Sequence, residues 1–265
     1  MSDTGRATVA LHGDLRDFLP AWQRGEDPVS VERPIVGHPA VKDMLEALGV
    51  PHPEIAALAV NGEPAGPGRR LGDGDRVEAW PADEAARLGL RPAVPPAPED
   101  AAEPSFVLDG HLGRLTAYLR MLGFDTWYRT DADDDRLATV AATERRILLT
   151  RDRGLLKRSV VRRGAFVRSD RPVEQLVEVA QRFGLVDRWQ PFGRCLRCNA
   201  PLVAATREEV LDRLEPLTRR YYDDFRRCPG CDAVYWKGSH HARMTRLVER
   251  VRASAAREAT IDDGG

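Results

Sequence analysis

Cysteine is scarce in this chain: four occur in 265 residues, all between positions 195 and 231. A disulfide-stapled scaffold uses cysteine throughout, so that class is excluded. Long apolar runs are also missing, and no stretch approaches the roughly 18 consecutive apolar residues of a membrane helix. The first residues, MSDTGRATVALHGDLRDF, have neither the basic start nor the apolar core of a signal peptide. Together these absences predict a cytoplasmic protein. Lysine is rare too, at three against 37 arginines, which reads as a compositional preference more than as selection at each site. What is present, 42% hydrophobic and 31% charged residues, describes a globular chain long enough for two or three domains.

The net charge of −1 hides an asymmetry. Residues 1–104 hold 10 basic and 18 acidic side chains, a balance of −8, whereas residues 105–265 hold 30 and 23, a balance of +7. The second half is the candidate for a polyanionic partner. Between the halves, LGLRPAVPPAPEDAAEPS lacks apolar periodicity and is rich in proline, which fixes φ and resists helix. The boundaries read as a first domain over 1–83 and a linker over 84–104, then 105–188, a cysteine module over 189–253 and a tail over 254–265.

Hydrophobic patterning predicts a small α+β unit first: strands at 7–11, 29–31, 57–60 and 76–80 around one helix at 41–48, with a turn at Asn61-Gly62. After the linker the pattern changes to alternating strands and helices. Short runs at 106–108, 124–128, 147–149 and 165–167 alternate with helical stretches. In the first of these, Leu112, Leu115, Leu119 and Leu122 share a face that Gly123 ends. Short buried strands between helices imply an α/β fold with a parallel sheet flanked by helices.

Open α/β sheets carry their sites at the carboxyl ends of their strands. Asp109 follows the first strand of the second half, Asp152 the third, in RILLTRDRGLL, and Asp170 comes just after the fourth. Asp133, Asp134 and Asp135 open the helix before the third strand. Crowded carboxylates need a neutralising partner, and Mg²⁺ or Mn²⁺ bound through oxygens is the usual one. Such an ion activates water and steadies the leaving oxygen of a phosphodiester. In this reading Thr150 supports Asp152 by hydrogen bonding, and Arg114, Arg151 and Arg153 meet phosphate. The bland alternative is that each Asp is a turn residue or helix N-cap, and that Arg120 is a solvated helix residue.

Cys195-x-x-Cys198 and Cys228-x-x-Cys231 form two knuckles of the kind that places four thiolates around Zn²⁺ in a closed structural site. His240 and His241 are then spare and read as surface residues. The following stretch offers Tyr235, Trp236 and Lys237, suited either to stacking on unpaired bases or to packing the module against its neighbour.

FVLDGHLGRLTAYLRMLGFDTWY, then DDDRLATVAATERRILLTRDRGLL, then the four-cysteine module with YWKGSHH, resemble the Mut-seven C-terminal RNase family of PIN-like ribonucleases. In that family a β-grasp domain precedes the nuclease. Here AVKDMLEALGVPHPEIAALAVNG and LGDGDRVEAWP resemble β-grasp, ubiquitin-like domains related to sulfur carriers, without the terminal Gly-Gly that carriers use. Gly264 and Gly265 close the chain after a charged tail, where a carrier role is not expected. The resemblance implies a metal-dependent ribonuclease using Asp109, Asp134 or Asp135, Asp152 and Asp170, with Asp109 and Asp152 as ligands of Mg²⁺ or Mn²⁺. It also implies RNA as substrate and a zinc ribbon, and the β-grasp domain is expected to recruit a protein partner. A rival class is a non-catalytic RNA-binding adaptor with a degenerate pocket.

Overall fold

A computed structural model describes the backbone of residues 4–94 and 103–261, and the side chains of residues 5–94 and 103–255. The chain begins with β1 (Thr4–Leu11), followed by β2 (Val29–Val36), α1 (Val41–Ala47), β3 (Ala57–Val60), β4 (Glu63–Pro64), β5 (Arg76–Trp80) and α2 (Ala82–Arg87). Its five strands form one sheet in the order β2-β1-β5-β3-β4, with β1 parallel to β5 and the other pairs antiparallel. All four residues of β3 are buried: Leu58 and Val60 join Val9 and Leu11 of β1 and Met44 and Leu45 of α1 in one core, while Ala57 and Ala59 pack with Trp80 and Ala85 in another. This is the expected strand–helix pattern with β1 and β2 extended.

The linker starts later than predicted. α2 occupies 82–87, and the Ala93 N–H donates to Ala56 O at 2.8 Å while its side chain packs into the first core. The chain is thus held to the β-grasp sheet as far as Ala93. The rest of the Pro/Ala-rich stretch, 95–102, lies outside the described residues.

The α/β part follows as β6 (Phe106–Leu108), α3 (Gly113–Met121), β7 (Thr126–Tyr128), α4 (Asp134–Thr143), β8 (Ile147–Thr150), α5 (Arg153–Leu156), β9 (Gly164–Phe166) and α6 (Pro172–Arg182). β6 pairs in parallel with β7, and β8 with β9. β6 and β8 are buried along their whole length, as parallel strands covered on both faces require. Gly123 ends α3 at φ +100°, and a Cβ there would lie 2.5 Å from Gln190 O, so only glycine fits.

The last part contains β10 (Val203–Ala205), α7 (Arg207–Val210), α8 (Pro216–Tyr221), β11 (Phe225–Arg227), β12 (Val234–Trp236) and α9 (Ser239–Ile261). β10, β11 and β12 form an antiparallel three-stranded sheet in that order. α7 and α8 lie in the insert between the cysteine pairs. The tail reading does not hold for its start, because α9 runs to Ile261 and Ala255 is buried with Val248 and Val251. Gly264 and Gly265 lie outside the described residues.

Two compact units result: residues 1–102 with 134–166, and residues 103–133 with 167–265. In the first, α4 buries Leu137, Val140 and Ala141, and Phe166 of β9 meets Phe18 edge-on at 5.6 Å, joining the β-grasp core. In the second, Phe106 meets Phe124 and Phe183 edge-on at 5.8 and 6.0 Å, α9 packs on α6, and Arg252 lies over the Trp189 ring at 5.2 Å. Among the described residues no helix is long and apolar enough to cross a membrane.

Candidate functional site

The two cysteine knuckles are near copies of each other. Cys195 N–H donates to Ala200 O and Asn199 N–H to Cys195 O, at 2.9 and 3.0 Å. Cys228 N–H donates to Ala233 O and Asp232 N–H to Cys228 O, both at 2.9 Å. Asn199 and Asp232 have φ of 71° and 64°, the left-handed turn that Asn and Asp tolerate best among side-chain-bearing residues. Each turn presents its sulfurs inward, and the four Sγ atoms all lie within 4.8 Å of one another. Cys195 and Cys231 sulfurs are 3.5 Å apart, Cys198 and Cys228 sulfurs 3.3 Å. Zn–S bonds of about 2.3 Å in a tetrahedron put sulfurs roughly 3.8 Å apart, so this cluster can hold a zinc ion with little adjustment.

Electrostatics agrees with that assignment. Burial raises the Cys195 pKa, but the Cys198 N–H, the Tyr235 hydroxyl and the Arg197 N–H outweigh it and bring it down to about 6. For Cys231 the Ala233 N–H favours the thiolate, yet burial and the other three sulfurs push its pKa up to about 12. Four sulfurs in this space repel a full set of negative charges, and a divalent cation removes the conflict.

Arg120, for which a solvated helix position was the bland alternative, is buried. It is 5% exposed; its Nε and Nη2 donate to Thr126 O, and its Nη1 donates to Leu196 O and Arg197 O inside the first knuckle. Burial lowers its pKa, against the pull of Cys195, Cys198 and Asp125. Asn199 adds a second tie, donating to Asp125 Oδ1 at 2.8 Å and accepting from Thr126 N–H at 3.0 Å. The module is therefore fastened to α3 and β7 by polar contacts.

The carboxylates are arranged differently. In the first unit Asp152 follows β8 and caps α5, its Oδ1 accepting from Gly154 N–H at 2.6 Å and Leu155 N–H at 3.1 Å. Thr150 Oγ1 accepts from the Asp152 N–H at 2.9 Å, so the predicted support acts on the backbone at that position. Arg158 pairs with Asp135 and reaches Asp134 at 4.0 Å, linking the start of α4 to the residues after α5. In the second unit Asp109 follows β6 and caps the short turn at 110–112, accepting from His111 N–H at 3.4 Å. Asp170 is exposed beside Ser169, whose hydroxyl donates to Glu174 at 2.9 Å. Glu178, which the sequence reading passed over, accepts from the N–H groups of Arg168 and Ser169. Its position one turn after Glu174 on α6 was the available signal. Among the described residues, only the cysteines form a group of three or more candidate ligands within bonding range.

With this geometry in place the comparison with known families is informative. Residues 104–248 match the Mut7-C RNAse domain. The chain belongs to the Mut7-C RNase family. Residues 4–87 match the Mut7-C ubiquitin domain, so the β-grasp part of this Mut7-C RNase is the family's own companion domain. No curated protein and no solved structure matches significantly.

Arg153 needs a correction that involves this companion domain. It was expected at phosphate, but its Nη1 donates to Phe18 O at 2.9 Å and its Nη2 to Asp17 O at 3.3 Å. The guanidinium also stacks near the rings of Phe18 and Phe166, at 4.9 and 5.5 Å. Nearby, Lys157 Nζ donates to Glu46 O, buried Glu54 accepts from Phe166 N–H, and His52 spans Glu46 Oε1 and Val161 O, all at 2.7 Å. The ubiquitin-like domain of the Mut7-C RNase thus grips β9 and α5, the helix that Asp152 caps. Arg114 and Arg151 are exposed and remain candidates for phosphate. Tyr235 points its hydroxyl at Cys195 Sγ and receives the Leu196 N–H, both at 3.1 Å, whereas Trp236 is 38% exposed. Lys237 pairs with Asp224 at 2.6 Å.

Proposed function

We propose that the protein is a PIN-like, metal-dependent endoribonuclease, a hydrolase acting on phosphodiester bonds of single-stranded or structured RNA in the cytoplasm. The observation that carries this reading is the Thr150–Arg151–Asp152 strand end within a chain whose residues 104–248 match a ribonuclease domain. Asp152 holds its helix with Oδ1, which leaves Oδ2 as the oxygen to offer a cation. The family resemblance assigns the further carboxylates to Asp109, to Asp134 or Asp135, and to Asp170. Bound Mg²⁺ or Mn²⁺ supplies activated water and charge stabilisation at the leaving oxygen. Arg114 and Arg151 steady the phosphate, and Trp236 and Lys237 hold the strand at the ribbon, with Tyr235 behind them.

The ubiquitin-like domain has a second task in this reading. Trp22 is 81% exposed and Val36, on the edge strand β2, is 69% exposed, and such side chains suit a protein partner. A second functional reading, a non-catalytic RNA-binding adaptor, draws on Arg158, which already neutralises Asp134 and Asp135. Incubating the zinc-loaded protein with labelled single-stranded RNA in Mn²⁺ or without divalent ions separates the two. Ion-dependent cleavage supports the nuclease, and ion-independent binding without cleavage supports the adaptor.

A further inference from the structure

The cysteine module carries a cavity of about 320 Å³ outside the sulfur cluster, within the second unit. That is near the lower end of the roughly 300–1,000 Å³ typical of small-ligand sites. Its apolar side includes Leu196, Leu202 and Met244, and its aromatic side Phe192, Tyr235, Trp236 and His241. Phe192 and His241 already stack, with ring centroids 4.2 Å apart and planes 35° from parallel. Burial, and then the nearby Lys237 cation, lower the His241 pKa from its ordinary value, against the opposing pull of Asp224. His241, expected as a surface or strand-end residue and not as a ligand, is half-buried in this lining.

Phe192 gives an independent observation. It adopts φ +64°, although Gly193 is its neighbour and a glycine at 192 would take that conformation without strain. The segment is pinned there: Gln190 N–H donates to Leu122 O, Phe192 N–H to Met121 O, and Arg226 Nη1 to Phe192 O. This turn sets the Phe192 ring against His241 at the wall of the cavity, where an aromatic face borders open space. Charge narrows the ligand. Residues 218–246 hold seven basic and three acidic side chains, a balance of +4, and in the lining itself Arg194, Arg226 and Lys237 outnumber Asp224, which pairs with Lys237.

We propose that this cavity receives a single unpaired RNA base, stacked among Phe192, His241 and Trp236, with the flanking phosphate near Arg226 and Lys237. The inference rests on the RNA reading above for its ligand class, and it adds a base-binding subsite that sets where the strand is gripped. Stacking platforms of this kind accept any base, because every base has a π-face.

The test uses the zinc-loaded full chain without Mg²⁺ or Mn²⁺, so that bound strands stay intact. A short single-stranded RNA carrying one 2-aminopurine is titrated by fluorescence, beside the same strand made abasic at the central positions. The expected result is quenching of the 2-aminopurine and about 10-fold weaker binding of the abasic strand, with Trp236→Ala and Phe192→Gly each weakening the intact strand by about 10-fold. Phe192→Gly suits the backbone, so it removes the ring without adding strain. Equal binding of intact and abasic strands, or no effect of either variant at unchanged zinc content, overturns the pocket. Cleavage in Mn²⁺, measured separately on the same preparations, shows whether the nuclease reading fails with it or stands alone.

Discussion

The sulfur cluster and the strand-end acids are both built from metal-ligand side chains, yet they are prepared in opposite ways. Each knuckle closes on itself through two backbone hydrogen bonds and a left-handed Asn199 or Asp232, and all four sulfurs already face one another. Nothing remains for substrate there, which is the mark of a structural site. Asp152 instead uses one carboxylate oxygen to hold α5 and the ubiquitin-like domain braces the same helix through Arg153. The sulfur cluster is completed by turns local in sequence, whereas the Asp152 strand end, proposed above as an open metal site, is braced by elements brought from far along the chain.

Breaking the closed site has the largest expected effect. Cys195→Ser or Cys228→Ser removes a ligand from an ion whose binding is worth about 10–16 kcal/mol of folding energy in zinc-finger peptides. Zinc content then falls and amide exchange rises across residues 195–236, while the β-grasp core stays protected. Next comes Arg120→Met, which strips the partners from Thr126 O, Leu196 O and Arg197 O. A loss of about 3 kcal/mol in denaturant titrations is expected, because buried acceptors are left unsatisfied. Arg153→Gln, by loosening the brace on the open site, is expected to lose about 2 kcal/mol from two hydrogen bonds and the ring contacts, with faster amide exchange in α5.

Smaller effects sharpen the contrast. Asp152→Ala loses a helix cap, at about 1 kcal/mol, whereas Asp152→Asn keeps it within a few tenths. Asp75 is held below its ordinary pKa by the Gly72 N–H and then the Asn61 amide. Its folded-state pKa lies below the unfolded value of about 3.9. The stabilisation is therefore complete above that value and is lost as pH falls through the folded one. Thermal midpoints of Asp75→Asn should trail the parent at neutral pH and converge with it in acid.

Much of the fold was legible because it rests on local pattern. Ala57–Val60 and Phe106–Leu108 are apolar runs and Arg76–Trp80 alternates polar with apolar side chains, and their limits agree with the strands observed. β7 begins two residues later than the apolar run suggests, since Phe124 N–H closes the end of α3 on Leu119 O. α9 escaped notice because only a narrow stripe, Val248, Val251 and Ala255, is buried within an arginine-rich stretch. The cysteine cluster was readable from two spacings. The role of Arg153 was not, because its partners Phe18 and Asp17 lie 135 and 136 positions away. Arg120 likewise meets the knuckle 76 residues downstream.

The most direct test of the central claim is the Mn²⁺-dependent cleavage rate of Asp152→Asn, compared with the parent at equal zinc content and thermal stability. If Asp152 serves the open site, the rate falls on the order of 10²–10³-fold, the scale of losing one preorganised electrostatic group, while the fold and zinc are unchanged. Undiminished cleavage by that variant would show that Asp152 is only a helix cap and would contradict the account.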